Sequence, residues 1–146
     1  MTDQHALPPI LNVGTVFVPV ANQVRALSFY TDTLGFEMRF DFEYGGGQRW
    51  LEVAPPGSVH RLALVPGTEG PPRPGLHTYC ALEVENAQTT HAALKSRGVK
   101  VTDIAGQGTE RTGLFTDNVV VKNPVPSQFY LHDPDGNRFL VVQTGR

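Results

Sequence analysis

Asn22 and Asn86 constrain this chain more than any other pair of residues. Each ends an apolar run, opens a helical pattern and is followed by a glycine, Gly35 or Gly98, that closes it. With an offset of 64, Thr15-Val16-Phe17-Val18-Pro19-Val20-Ala21-Asn22 faces Tyr79-Cys80-Ala81-Leu82-Glu83-Val84-Glu85-Asn86. Identity between the segments is slight, yet strand, cap, helix and terminator follow in the same order. This is the pattern of an internal duplication. It is not a solenoid, which needs at least three short repeats to bury a continuous core.

The first module reads β-α-β-β-β over residues 10–66. "NVGTVFVPV" is a Val-rich strand, and Asn22 is placed to accept an orphan amide of the helix behind it. Val24, Leu27, Tyr30 or Thr31, and Leu34 then recur on one helical face, and Gly35 suits a C-cap. "FEMRFDFE" alternates with Phe36, Met38, Phe40 and Phe42 on one side; "QRWLEVAPP" and "VHRLALVP" complete the unit. Residues 67–76, the richest Pro/Gly stretch, read as a linker, and residues 1–9 as a flexible tail. The second module spans residues 77–146. Its strand "LHTYCALEVEN", a helix ending at Gly98 and the strand "VKVTDI" lead into a long loop at 105–127, which a compact domain usually keeps for function or mobility. A tight turn, Asp133-Pro134-Asp135-Gly136-Asn137, separates the last two apolar runs. The class is α+β, and 146 residues suit one structural domain overall.

Several function classes fall away on composition. A net charge of −2 supplies no basic face for nucleic acid. No apolar run approaches the ~20 residues that span a bilayer, and the N-terminus lacks the pattern of a signal peptide. The one cysteine, Cys80, cannot form an internal disulfide and suits a reducing cytoplasm. It lies in an apolar alternating run and reads as a structural thiol. "YGGG" joins two strands, so it reads as a hairpin turn and not a phosphate cradle.

The Phe29-Tyr30 and Leu34-Gly35-Phe36 helix-to-strand junction and the Asp133–Asn137 turn, set in two β-α-β-β-β modules, resemble the vicinal oxygen chelate superfamily. That group holds glyoxalase I, bleomycin-resistance proteins and extradiol dioxygenases. The resemblance runs from about Asn12 to Gln143. It implies a glyoxalase-like curled mixed sheet around a central pocket, and it leaves the reaction open because one fold carries many chemistries. Apart from the family, Phe29 and Tyr30 read as packing residues, Gly35 and Gly136 as positive-φ positions, and Asp133 and Asn137 as turn residues.

In metal-bearing relatives each module gives two ligands, one from its first strand and one from its last. Carried over, those places are Thr15 and Ala63 in the first module, Tyr79 and Leu140 in the second. None offers the imidazole or carboxylate that a divalent ion wants here. A slip of one residue would turn the strands inside out. A slip of two brings in only His77, and one imidazole is not a site. His5, His60, His91 and His132 are scattered. No metal and no other cofactor is expected.

A cup without ligands becomes a mostly apolar pocket lined by Thr15, Phe17, Ala63, Tyr79 and Leu140. Trp50 shares a strand face with Glu52; it either offers a flat ligand a stacking surface or packs outward. Arg61 and Arg138 each precede a vacated metal position by two residues; they either hold an anionic group, or reach solvent or pair with Glu52 and Asp135. The reading is a glyoxalase/bleomycin-resistance-like protein that binds a small, partly aromatic or anionic molecule without metal. The resemblance implies a homodimer with the pocket at or near the subunit boundary. The alternative is a metal-independent enzyme of lyase, isomerase or oxygenase type, with Tyr79 as acid or hydrogen-bond donor and Glu52 or His77 as base. Metal-dependent glyoxalase or dioxygenase chemistry ranks below both.

Overall fold

The same device starts both helices. Asn22 and Asn86 sit in extended backbone, and their side-chain oxygens accept the amides of Arg25 and Thr89, each at 2.9 Å. They open α1 (Gln23–Ser28) and α2 (Ala87–Ser96). Helix α1 continues into a π-helical turn, Phe29–Thr33, and the chain reverses at Gly35 with φ of 79°. The computed structural model describes residues 6–66, 77–106 and 126–144. The expected linker at 67–76, the first residues of the tail and most of the 105–127 loop lie outside the described residues.

Strands β1 (Thr15–Val20), β2 (Glu37–Gly45), β3 (Gln48–Ala54) and β4 (Arg61–Pro66) form one sheet in the order β1-β4-β3-β2. Strands β5 (His77–Val84), β6 (Lys100–Val101), β7 (Gln128–His132) and β8 (Arg138–Gln143) form a second in the order β5-β8-β7-β6. In each, the first strand runs parallel to the last, a pairing that needs the intervening helix and strands as its crossover. The curled sheet implied by the resemblance is thus two four-stranded mixed sheets, related as the duplication requires. Strand β6 is shorter than "VKVTDI" suggests. Beyond Val101 the backbone drifts off the ladder, held by Thr102 N to Tyr130 O at 3.0 Å and by the bridge between Ala105 and Gln128.

One core serves both modules. It takes alternate residues of the strands, such as Val18, Leu51 and Leu64 from the first sheet and Phe129, Phe139 and Val141 from the second. The helices add Ala26, Ala87 and Leu94, and the π turn adds Tyr30. Both sheets therefore turn their helix-bearing faces toward the same interior.

The Asp133–Asn137 turn does more than reverse the chain. Asp133 accepts the amides of Asp135 and Asn137 through Oδ1, each at 2.9 Å. Its Oδ2 accepts from the Tyr30 hydroxyl at 2.8 Å and from Asn137 Nδ2 at 2.9 Å. The Asn137 amide also donates to Pro19 O at 2.8 Å, and Asp135 Oδ1 accepts from Ala21 N at 3.0 Å and pairs with Arg25 at 3.1 Å. Four of the first module's residues are thereby fixed to one turn of the second. Burial, followed by the Asp133 charge, raises Tyr30 well above the usual tyrosine range, so it stays a neutral donor.

Candidate functional site

A strand buries alternate residues, so the partners of the core residues lie on the opposite face. In the first sheet the register sets Thr15 opposite Arg61, Phe17 opposite Ala63, and Ala63 opposite Glu52. It also sets Phe42 opposite Trp50 and Phe40 opposite Glu52. Trp50 meets Phe17 edge-to-face at 5.4 Å, so it lies on this outer face. Ala63 is buried beneath its larger neighbours. Phe17, Phe40 and Phe42 remain 59%, 49% and 55% exposed, far more than aromatic side chains usually leave in water.

The polar groups of this face form a closed set. Thr15 Oγ1 donates to Glu52 Oε1 at 3.2 Å, while Arg61 Nε stands 3.3 Å from Glu52 Oε2. The latter distance suits an ion pair, although the alignment is not that of a hydrogen bond. Glu52 therefore neutralises Arg61.

The second sheet departs from the overlay of the two halves. Its register runs from His77 opposite Arg138 to Ala81 opposite Leu140, four steps on β5 against two on β8. The surplus forms a bulge containing Tyr79, whose φ of 55° is the only positive value outside glycine among the described residues. Tyr79 is 81% exposed. Its ring stacks on His77 with centroids 4.1 Å apart, and its amide donates to His77 Nδ1 at 2.9 Å. His77, not Tyr79, thus stands to Arg138 as Thr15 stands to Arg61. "HTYCALEV" alternates regularly, and no residue in it announces the extra turn of backbone.

A residue missed at the sequence level completes this face. Tyr130 sits opposite Leu140, the place Glu52 holds opposite Ala63. Its hydroxyl lies 3.2 Å from His77 Nε2. Because Nδ1 accepts the Tyr79 amide, the ring proton is assigned to Nε2, which donates to Tyr130. Desolvation, then the charge of Arg138, lowers His77 from its ordinary range and keeps the ring neutral. The Arg138 guanidinium lies 5.0 Å from the Tyr130 ring centroid. Tyr130 is readable in hindsight from period two, since it falls in phase with Leu140 once β7 and β8 are paired.

The structure thus assembles Thr15, Phe17, Trp50, Glu52, Arg61 and Ala63 on one face, and His77, Tyr79, Arg138 and Leu140 with Tyr130 on another. The contacts Thr15–Glu52, Arg61–Glu52 and Phe17–Trp50 lie within the first sheet, and His77–Tyr130, His77–Tyr79 and Arg138–Tyr130 within the second. The reason is the shared core, which takes the opposite side of both sheets. A separate groove of about 810 Å³ follows the edge strand β5 and is lined by Val16, Leu34, Phe36, Cys80, Leu82 and Leu94, among others. Of the nominated residues only Arg61 and Tyr79 reach it. Burial raises the Cys80 thiol above its usual range, which suits a packing role.

With His77 in the place the overlay gives to Tyr79, the metal positions hold a hydroxyl, a methyl, one imidazole and an isobutyl group, and a single imidazole is not a site. Among the described residues no three His, Cys, Asp or Glu side chains gather where a metal ion would fit. His60 lies against Val13 O and His91 against Thr102 O, both backbone partners. This donor set does not suit the divalent ion of the metal-bearing relatives. No helix among the described residues is long and apolar enough to cross a membrane.

Two βαβββ modules, each with a mixed sheet and an open face, define a glyoxalase-like α+β protein. The chain belongs to the Glyoxalase/Bleomycin resistance protein/Dioxygenase superfamily, whose family model matches residues 12–141. It is similar in fold to a member of that superfamily from Sphaerobacter thermophilus DSM 20745, with a TM-score of 0.73, 28% identity and coverage of 92% of this chain and 98% of that one. It is likewise similar to TnmS3, an antibiotic binding protein from Streptomyces sp. CB03234, with a TM-score of 0.71, 30% identity and coverage of 95% and 100%. The uncharacterized protein YetH of Bacillus subtilis (strain 168) is 33% identical over 91 residues, 62% of this chain and 76% of YetH.

Proposed function

We propose that the protein binds a small, partly aromatic molecule without a metal ion, in a pocket completed by a second copy of the chain. The observation that carries this reading is the row of exposed aromatics around Trp50. Phe17, Phe40 and Phe42 leave a broad apolar surface in water, and such surfaces mark binding sites. Flat rings stack on it at favourable offset or edge geometry. The description of TnmS3 as an antibiotic binding protein supports a small-molecule ligand. The open faces look away from the chain's own core, so a homodimer that sets the first sheet of one copy against the second sheet of its partner would enclose both residue sets. A reducing cytoplasm belongs to the same proposal, and the single cysteine, which cannot form an internal disulfide, is compatible with it.

A metal-independent enzyme is the second reading. It rests on the neutral His77 hydrogen-bonded to Tyr130 beside Tyr79, whose φ of 55° is the kind of local strain that collects at functional sites. Trp50 is the only tryptophan, so its fluorescence reports the proposed face directly. Titration with fused-ring aromatic compounds is expected to quench it saturably, and Phe17→Ala should weaken binding about tenfold, the loss of one buried ring contact. Quenching that stays linear with every compound would defeat the binding reading. Conversion of a bound compound, lost in Tyr130→Phe, would favour the enzyme.

A further inference from the structure

We infer that the second sheet carries an acid-binding subsite, in which Arg138 and Tyr130, backed by His77, take the carboxylate or ionised phenol of the ligand. The inference rests on the proposed small-molecule reading for the ligand's aromatic body, and it assigns the polarity of the site.

The duplication makes the argument, because corresponding positions have diverged in charge. Arg61 and Arg138 occupy matching places in β4 and β8, yet their surroundings differ. Opposite Ala63 the first module has Glu52, which lies in ion-pair range of Arg61. Opposite Leu140 the second module has Tyr130, which offers Arg138 the face of a ring and no negative charge. The Nε of each arginine is buried with no hydrogen-bond partner, but Arg61 has the Glu52 carboxylate beside it, whereas among the described residues Arg138 makes no ion pair. A buried guanidinium nitrogen without an acceptor is costly. A ligand oxyanion relieves that cost, and the planar fork of arginine suits a two-oxygen acid.

Two further features favour the same place. The Tyr130 hydroxyl accepts from His77, and a hydroxyl polarised in this way becomes a stronger donor. His77 carries no charge of its own to pair with an acid, so it serves Tyr130 as a positioning residue. Glu52, by contrast, puts a carboxylate among the aromatics of the first sheet and disfavours an acid there. The ligand is therefore oriented, with its rings on the Trp50 face and its acid toward Arg138.

The test compares naphthalene-2-carboxylate with naphthalene-2-carboxamide, which share a shape and differ in charge. Trp50 quenching reads affinity, and the side-chain Nε–H resonance of Arg138 reads contact with the acid. The carboxylate is expected to bind about tenfold to a hundredfold more tightly, as for hydrogen bonds to a charged group. Arg138→Met should reduce carboxylate affinity to that of the carboxamide, whereas Arg61→Met should keep the preference. A preference that survives Arg138→Met, or disappears in Arg61→Met instead, overturns the assignment. If both compounds bind and the Arg138 resonance stays still, the subsite is wrong and the aromatic reading stands. If neither quenches Trp50 but benzoate moves the Arg138 resonance, the acid subsite stands and the aromatic reading fails.

Discussion

Tyr30 shows how one side chain ties the modules together. It is fully buried, and its hydroxyl reaches Asp133 across the two halves at 2.8 Å. Tyr30→Phe leaves one acceptor of Asp133 underused and should cost about 1–3 kcal/mol in chemical denaturation. Asp133→Ala should cost more, because Tyr30, the Asn137 side chain and two turn amides lose their acceptor together. Two histidines add to the pH dependence on the acid side. His77 and His132 both lie below their ordinary value of 6.5, chiefly through desolvation, with Arg138 adding to His77 and Lys100 to His132. The unfolded chain binds those protons first, so the stabilising contribution is present above about pH 6.5 and is lost as pH falls. Melting temperature should decline from pH 7.5 to 5.5, with a shallower decline in His132→Asn; an unchanged slope in that variant would remove His132 from the account. The residue scale was only partly legible in advance. The turn chemistry of Asp133 and Asn137 reads from "DPDGN", but their reach to Tyr30 and Pro19 needs two halves already packed.

At the scale of elements, the caps were the clearest signals in the sequence. Each asparagine supplies the same amide acceptor at the same place, because a helix start leaves the same donors unpaired wherever it occurs. Asn86→Ala should destabilise by about 1 kcal/mol, and Asn22→Ala by a similar amount, measured by urea midpoints. At Gly35 a Cβ would meet nothing within 4 Å, so only the backbone φ of 79° opposes Gly35→Ala. That substitution should cost about 1–2 kcal/mol through left-handed strain alone. Free tolerance of alanine would mean that the helix can end in another conformation. Strand lengths were less legible. Strand β6 shrinks to two residues and β5 bulges at Tyr79, since side-chain alternation records which face is apolar and not whether the ladder holds its register.

For the whole molecule, the outer faces of both sheets raise the question of what covers them. If a second copy does, Phe42→Asp places a charge in the middle of an apolar contact. The variant should then elute as a monomer with unchanged far-ultraviolet circular dichroism, while the parent elutes as a dimer. A monomeric parent would instead leave the first sheet as an open binding surface. The duplication, the two helix starts, the α+β class and the poverty of metal donors at Thr15, Ala63 and Leu140 were all determined by the sequence. These depend on periodicity, capping and side-chain chemistry, which are local. Only the tertiary structure decided that Trp50 lies on the outer face, that His77 takes the place overlaid on Tyr79, and that Glu52 quenches Arg61 while Arg138, beside Tyr130, has no counter-ion among the described residues. Each of those depends on which strand lies beside which, and in what register, and hydrogen bonding between distant segments sets that.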